Sequence, residues 1–201
     1  MAETFQLLGA TPLDGICGPI GGRSDAGIVI TERRHLGKLI LRGEPNDRAF
    51  LNGAAKALDT SPPLEPNTTR TSKQAYIVWT APNEWLLVTS PGKEIALEKK
   101  LSDVLSNTHH AVTNTTDHST VISLSGRNAQ TVMAKGCAID LHRRVFMPGS
   151  AAQSQLAKTL VTFWQTDDIP TYEILVRASF ASYLWSWIID AGAEFGVRIE
   201  A

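Results

Sequence analysis

Apolar positions along this chain follow two alternating rhythms. The runs GIVITER (27–33) and LGKLILRG (36–43) alternate and then turn continuously apolar, the pattern of strands. PNDRAFLNGAAKAL (45–58) follows with helical spacing, and Pro45 is expected near its first turn, where a missing N–H costs little. A proline-rich loop, TSPPLEPNTTRTS, leads to two more strand-like runs, AYIVWT and EWLLVTS, separated by Ala81, Pro82 and Asn83. KEIALEKKLSDVL (93–105) then returns to helical spacing. Leu97, Leu101, Val104 and Leu105 form its apolar stripe, and Glu94, Glu98 and Ser102 are expected to face away.

The same series recurs in the second half of the chain. HAVTNTT (110–116) and STVISLSG (119–126) read as strands, RNAQTVMAKG as a helix, AKTLVTFWQ and TYEILVRAS as strands, and SFASYLWSWIIDAGAEFG (179–196) as a closing helix. Leu41, Gly43, Gly53, Ala55 and Leu58 coincide at one constant offset with Leu124, Gly126, Gly136, Ala138 and Leu141. Pro82, Leu87 and Val88 coincide at a slightly longer one with Pro170, Leu175 and Val176. These matches predict an α+β fold built from a duplicated unit of mainly antiparallel strands with packed helices. The expected division is an irregular lead at 1–26, a first half at 27–106 and a second at 107–201, together one compact domain. A parallel doubly wound sheet is disfavoured, because neighbouring strands are joined by loops too short for crossovers.

The closing helix breaks the symmetry of the repeat. At about 100° per residue, Phe180, Tyr183, Leu184, Trp187, Ile188, Ala191 and Phe195 share one broad stripe, which Trp185 and Ile189 extend to an apolar arc of roughly 240°. Packing on one sheet accounts for about half of that arc. Either the lead segment folds over the extra face, or Trp185 and Ile189 form a partner interface, where aromatic anchors are enriched.

Composition narrows the chemistry. With 19 Lys and Arg against 20 Asp and Glu, the net charge of −1 lacks the positive field on which phosphate-backbone binding depends, so no nucleic acid partner is expected. Two cysteines form no disulfide framework, no run of 18 apolar residues marks a membrane span, and the N-terminal stretch lacks a signal-peptide pattern. A cytoplasmic protein is expected. The glycine-rich Ile16–Gly22 leads to a strand, whereas a phosphate cradle opens a helix. His109, His110 and His118 beside Asp117 lack the one-faced spacing that lets metal ligands converge. No GXSXG, SXXK or Walker-type motif occurs, and no catalytic, cofactor-binding or metal-binding residue is expected.

Several of these segments, taken in order, carry a family resemblance. Pro82–Leu87 (PNEWLL), Leu124–Gly126, Gly136–Leu141 (GCAIDL), Phe146 with Gly149, Gln153–Ala157, and Ser179–Trp187 (SFASYLWSW) together resemble the gamma subunit of bacterial heterotetrameric sarcosine oxidase. The resemblance spans roughly residues 30–200. It implies a fold like the folate-binding domain of the glycine-cleavage aminomethyltransferase, and partners in the form of alpha, beta and delta subunits. It also implies cofactors held by those subunits: NAD, FAD, FMN and zinc, with tetrahydrofolate as carbon acceptor. No motif here matches the aminomethyltransferase's catalytic acidic residue. The expected role is a non-catalytic structural subunit in the oxidative demethylation of sarcosine to glycine. Two alternatives are a stand-alone folate-binding or folate-dependent one-carbon protein, and the same subunit in a related N-methyl amino acid dehydrogenase complex.

Overall fold

The apolar runs are continuous because the strands are covered on both faces. The computed structural model describes residues 9–18 and 20–200. Its first sheet contains β2 (Gly37–Gly43), β3 (Thr69–Thr71), β4 (Tyr76–Ala81), β5 (Glu84–Thr89) and β6 (His110–Asn114) in the order β3-β4-β5-β2-β6. The second contains β1 (Ile28–Glu32), β7 (Ser119–Ser125), β8 (Ala151–Leu156), β9 (Thr159–Gln165), β10 (Tyr172–Arg177) and β11 (Val197–Glu200) in the order β11-β1-β7-β10-β9-β8. All pairings are antiparallel except β1 with β11.

Alternate side chains then divide between two cores. On β5, Trp85 and Leu87 pack beneath α1 (Arg48–Leu58) and α2 (Glu94–Val104), while Leu86 and Val88 face the other sheet. On β10, Tyr172, Ile174 and Val176 share a core with α3 (Ala129–Ala134) and α4 (Ala178–Gly192), and Leu175 faces the first sheet. Four layers result: helices, sheet, sheet, helices. The inner seam joins Val78, Leu86, Val88, Val121, Ala151 and Trp164, with Tyr76 stacked on Trp164 at 5.6 Å between ring centroids. Full burial of such side chains is worth about 1.5–3 kcal/mol each, so the seam contributes substantially to stability. At one edge the sheets are joined by Thr69 donating to the Gly149 carbonyl and Ala151 donating to the Asn67 carbonyl, both at 2.8 Å.

Helix ends follow local chemistry, with two corrections. Pro45 lies outside α1, two residues before the N-cap Asp47, whose carboxylate accepts from the Ala49 N–H at 2.8 Å. An Asp oxygen at this position satisfies an orphan helix donor, which proline cannot do. Gly53 permits close packing of the two helices, because a methyl group there would come within 2.6 Å of Leu105. A second correction concerns Glu94, which is buried at the start of α2 rather than turned to solvent.

The two sheets share one plan, yet each borrows a strand. In the first, β4-β5-β2 is followed by β6; in the second, β9-β10-β7 is followed by β1. Leu41 lies opposite Val112, and its repeat counterpart Leu124 lies opposite Ile30. The strand leading each half thus completes the other half's sheet. Three strands escape the sequence pattern: the short β3, the polar β8 (AAQSQL), and β11, which follows directly on the closing helix.

Tyr172 tests the sealing of the second core. It is 1% exposed, and burial pushes its phenol up to about 12. The neutral phenol is therefore favoured by folding, and its stabilising contribution is complete below about pH 10 and lost as pH rises towards about 12. In an alkaline titration followed by tyrosinate absorbance, Tyr172 should remain protonated after free tyrosine has ionised. Ionisation at the free-tyrosine value in a still-folded chain would contradict the sealed core.

Candidate partner interface

Helix α4 has the predicted two-sided character, but the sides are used differently from the expectation at Trp185. Trp185 is 1% exposed and belongs to the second core together with Leu184, Ile188 and Leu13. It therefore does not present a surface for a partner. Ile189 is half-buried and packs against the same core. The core of the second sheet encloses the Trp185 ring, and the lead segment adds Leu13 to that core. Thr11 donates its hydroxyl to Glu32 at 2.8 Å, Arg34 pairs with Asp14, and Leu13 is completely buried between these anchors. The Thr11 N–H and the Arg34 guanidinium hold the Asp14 carboxyl below the usual carboxylate range.

Other side chains of α4 remain outside. Phe180 and Tyr183, one helical turn apart, are 44% and 38% exposed. The Tyr183 hydroxyl accepts from the Lys158 N–H at 3.3 Å, which fixes the ring beside the turn between β8 and β9. Trp187 lies over Gly136, where a methyl group would come within 2.7 Å of its ring. A second group of exposed apolar side chains, Val145, Met147 and Ile169, sits on the loops before β8 and β10. Arg143 and Asp168 join those loops at 4.0 Å, and Gly149 donates to the Gln165 carbonyl at 3.0 Å.

The other sequence features take structural places. Gly21 exchanges two hydrogen bonds with Ile199, each 2.9 Å, and a methyl group at Gly22 would collide with the Val197 carbonyl. The Gly21 backbone groups are thus spent on pairing with β11. His109 and His118 are exposed, and the His110 ring contacts the Thr108 carbonyl at 3.1 Å. Among the described residues no group of three or more His, Cys, Asp or Glu could hold a metal ion. Cys137 is buried; Cys17 is half-buried, and burial pushes its thiol up. No described helix is long and apolar enough to cross a membrane.

This arrangement has relatives. The profile of the sarcosine oxidase, gamma subunit family matches residues 42–194. The chain is 33% identical over 156 residues to sarcosine oxidase subunit gamma of Corynebacterium sp. (strain P-1), covering 77% of this chain and 75% of that protein. To the subunit gamma of strain U-96 it is 34% identical over 119 residues, covering 59% and 57%. Among solved structures, a chain of heterotetrameric sarcosine oxidase from Corynebacterium sp. U-96 in complex with pyrrole 2-carboxylate superposes with a TM-score of 0.85 at 26% identity, over 94% of this chain and 96% of that one. The glycine cleavage system aminomethyltransferase T from Bartonella henselae has the same fold, with a TM-score of 0.65 at 16% identity, over 88% of this chain and 48% of that one.

Proposed function

The chain belongs to the sarcosine oxidase gamma subunit family, and from that premise we propose that it is a non-catalytic assembly subunit of a four-subunit, flavin-dependent sarcosine oxidase in the cytoplasm. The observation that carries this reading is the superposition along almost the whole chain on one chain of a heterotetrameric sarcosine oxidase. In this proposal the alpha, beta and delta subunits hold FAD, FMN, NAD and zinc, and tetrahydrofolate serves as carbon acceptor outside this chain. Its own contribution is shape: a rigid four-layer body presenting apolar groups to larger subunits. The fold shared with an aminomethyltransferase supplies no folate site by itself.

Recovery of the tagged chain from its own cells tests the proposal. Larger subunits should accompany it, with a flavin absorption spectrum, whereas the isolated chain should be colourless and inactive on sarcosine. Flavin held stoichiometrically by the isolated chain would overturn the non-catalytic reading. Binding of tetrahydrofolate in calorimetry would favour the folate-protein alternative instead.

The contact surface is assigned to the outward side of α4 through Phe180 and Tyr183. Exposed aromatic residues are effective anchors, and truncating one at an interface centre costs about 2 kcal/mol or more. Replacing both by Ala should lower partner recovery by about tenfold or more, while each exposed site changes the free chain's stability by only about 0.5 kcal/mol. Undiminished recovery would move the contact to the Val145, Met147 and Ile169 group.

A further inference from the structure

The inner seam between the two sheets is open at one end. Ile40, Leu86 and Leu175 of the seam line a cavity of about 730 Å³ there, together with Leu160 and Arg177. Val176 pairs with Val161, which sets Arg177 beside Leu160 where β10 passes into α4. Leu160 is 71% exposed, an apolar side chain left in water at the border of an apolar cavity. The turn just before it is fixed in place: the Ala157 N–H donates to the Gly136 carbonyl at 3.0 Å, and the Lys158 N–H donates to the Tyr183 hydroxyl at 3.3 Å. One continuous strip therefore runs from the cavity over Leu160 and Lys158 to the exposed pair Phe180 and Tyr183.

The uncompensated charge along this strip has one sign. Arg177 and Lys158 are exposed, and neither makes an ion pair among the described residues. The carboxylates at either end of the strip are already engaged, Glu84 with Arg42 and Glu194 with Lys135. Helix α4 carries no acidic residue before Asp190, which lies about two turns, or about 10 Å, beyond Tyr183. A second copy of this chain seated here across a two-fold axis would set these cations against themselves, and like charges at a contact cost affinity. The complement that fits is an apolar segment carrying carboxylates.

We propose that this strip receives an acidic, apolar segment of a larger partner subunit, with carboxylates at Arg177 and Lys158 and an apolar side chain entering the cavity beside Leu160. The proposal rests on the assembly reading and adds to it the chemistry of the partner. Recovery of larger subunits with the tagged full-length chain, from its own cells and over a range of salt concentrations, tests it. Wild type should recover them with a yield that falls as salt rises. Arg177→Glu combined with Lys158→Glu should lower recovery by about tenfold or more, because carboxylates then face carboxylates, while the melting temperature of the free chain stays unchanged. Arg177→Gln combined with Lys158→Gln should cause a smaller loss and remove most of the salt dependence. Recovery by both variants equal to that by wild type overturns the proposal and leaves the assembly reading standing, whereas failure of wild type to recover any larger subunit overturns both. Self-association of the purified chain that is abolished by Phe180→Ala with Tyr183→Ala would give the strip to a second copy and overturn the proposal as well. If the charge-reversed variant fails to fold, the wild-type salt series decides: a yield independent of salt overturns the proposal.

Discussion

Trp185→Ala should destabilise the free chain by about 3–5 kcal/mol, the range for deleting a large aromatic side chain from a packed core. The ring is 1% exposed and shares its core with Leu13, Leu184 and Ile188, elements separated widely in sequence. Its indole nitrogen is buried without a hydrogen-bond partner among the described residues, so the stabilisation rests on packing. Against total domain stabilities of about 5–15 kcal/mol, the loss is large enough to leave much of the chain unfolded near physiological temperature. Denaturant titration of wild type and variant measures it. A change below about 0.5 kcal/mol, accompanied by loss of partner subunits, would return Trp185 to the surface. Ile189→Ala should cost less, because that side chain is only half-buried.

Expression of residues 1–106 and 107–201 as separate polypeptides should yield no folded material from either, whereas co-expression should give a soluble pair. Each fragment carries a strand that belongs to the other's sheet. Without β7, the buried Ile28 and Ile30 of β1 have no core; without β6, β2 becomes an unpaired edge beside Leu39 and Leu41. Exposed apolar edges pair indiscriminately, so aggregation is the expected fate of each half. Circular dichroism and native molecular size distinguish the cases. A monomeric, cooperatively melting half would show that the exchanged strands are dispensable.

Much of this architecture was legible because most strands are long and apolar. LGKLILRG and EWLLVTS declare β2 and β5, and their counterparts declare β7 and β10, since burial on both faces leaves little room for polar residues. AAQSQL hides β8 because edge strands carry polar side chains, and VRIE hides β11 because it follows closely on α4. The strand exchange was illegible for a different reason: periodicity reports which face of a strand is buried but not which neighbour it meets. For the same reason the arc of α4 disclosed too much apolar surface for one sheet without disclosing that Leu13 shares the core of Trp185. The helical wheel turns Glu94 towards solvent, whereas the absence of a side chain at Gly37 admits its carboxylate.

The exchange of β1 also orders events during synthesis. Its antiparallel neighbour β7 and its parallel neighbour β11 both lie far downstream. At typical elongation rates of about 5–20 residues per second, β1 waits roughly ten seconds or more after leaving the ribosome before β11 emerges. The first sheet is closed by β6 well before then, so the two sheets mature in sequence, and a nascent chain stalled within α4 would hold β1 beside β7 with its other edge still open. Segments of high sequence separation are slow to find each other. The vulnerable interval is therefore the one between the emergence of β7 and that of β11, when a chaperone holding the edge of β1 would have the most to protect.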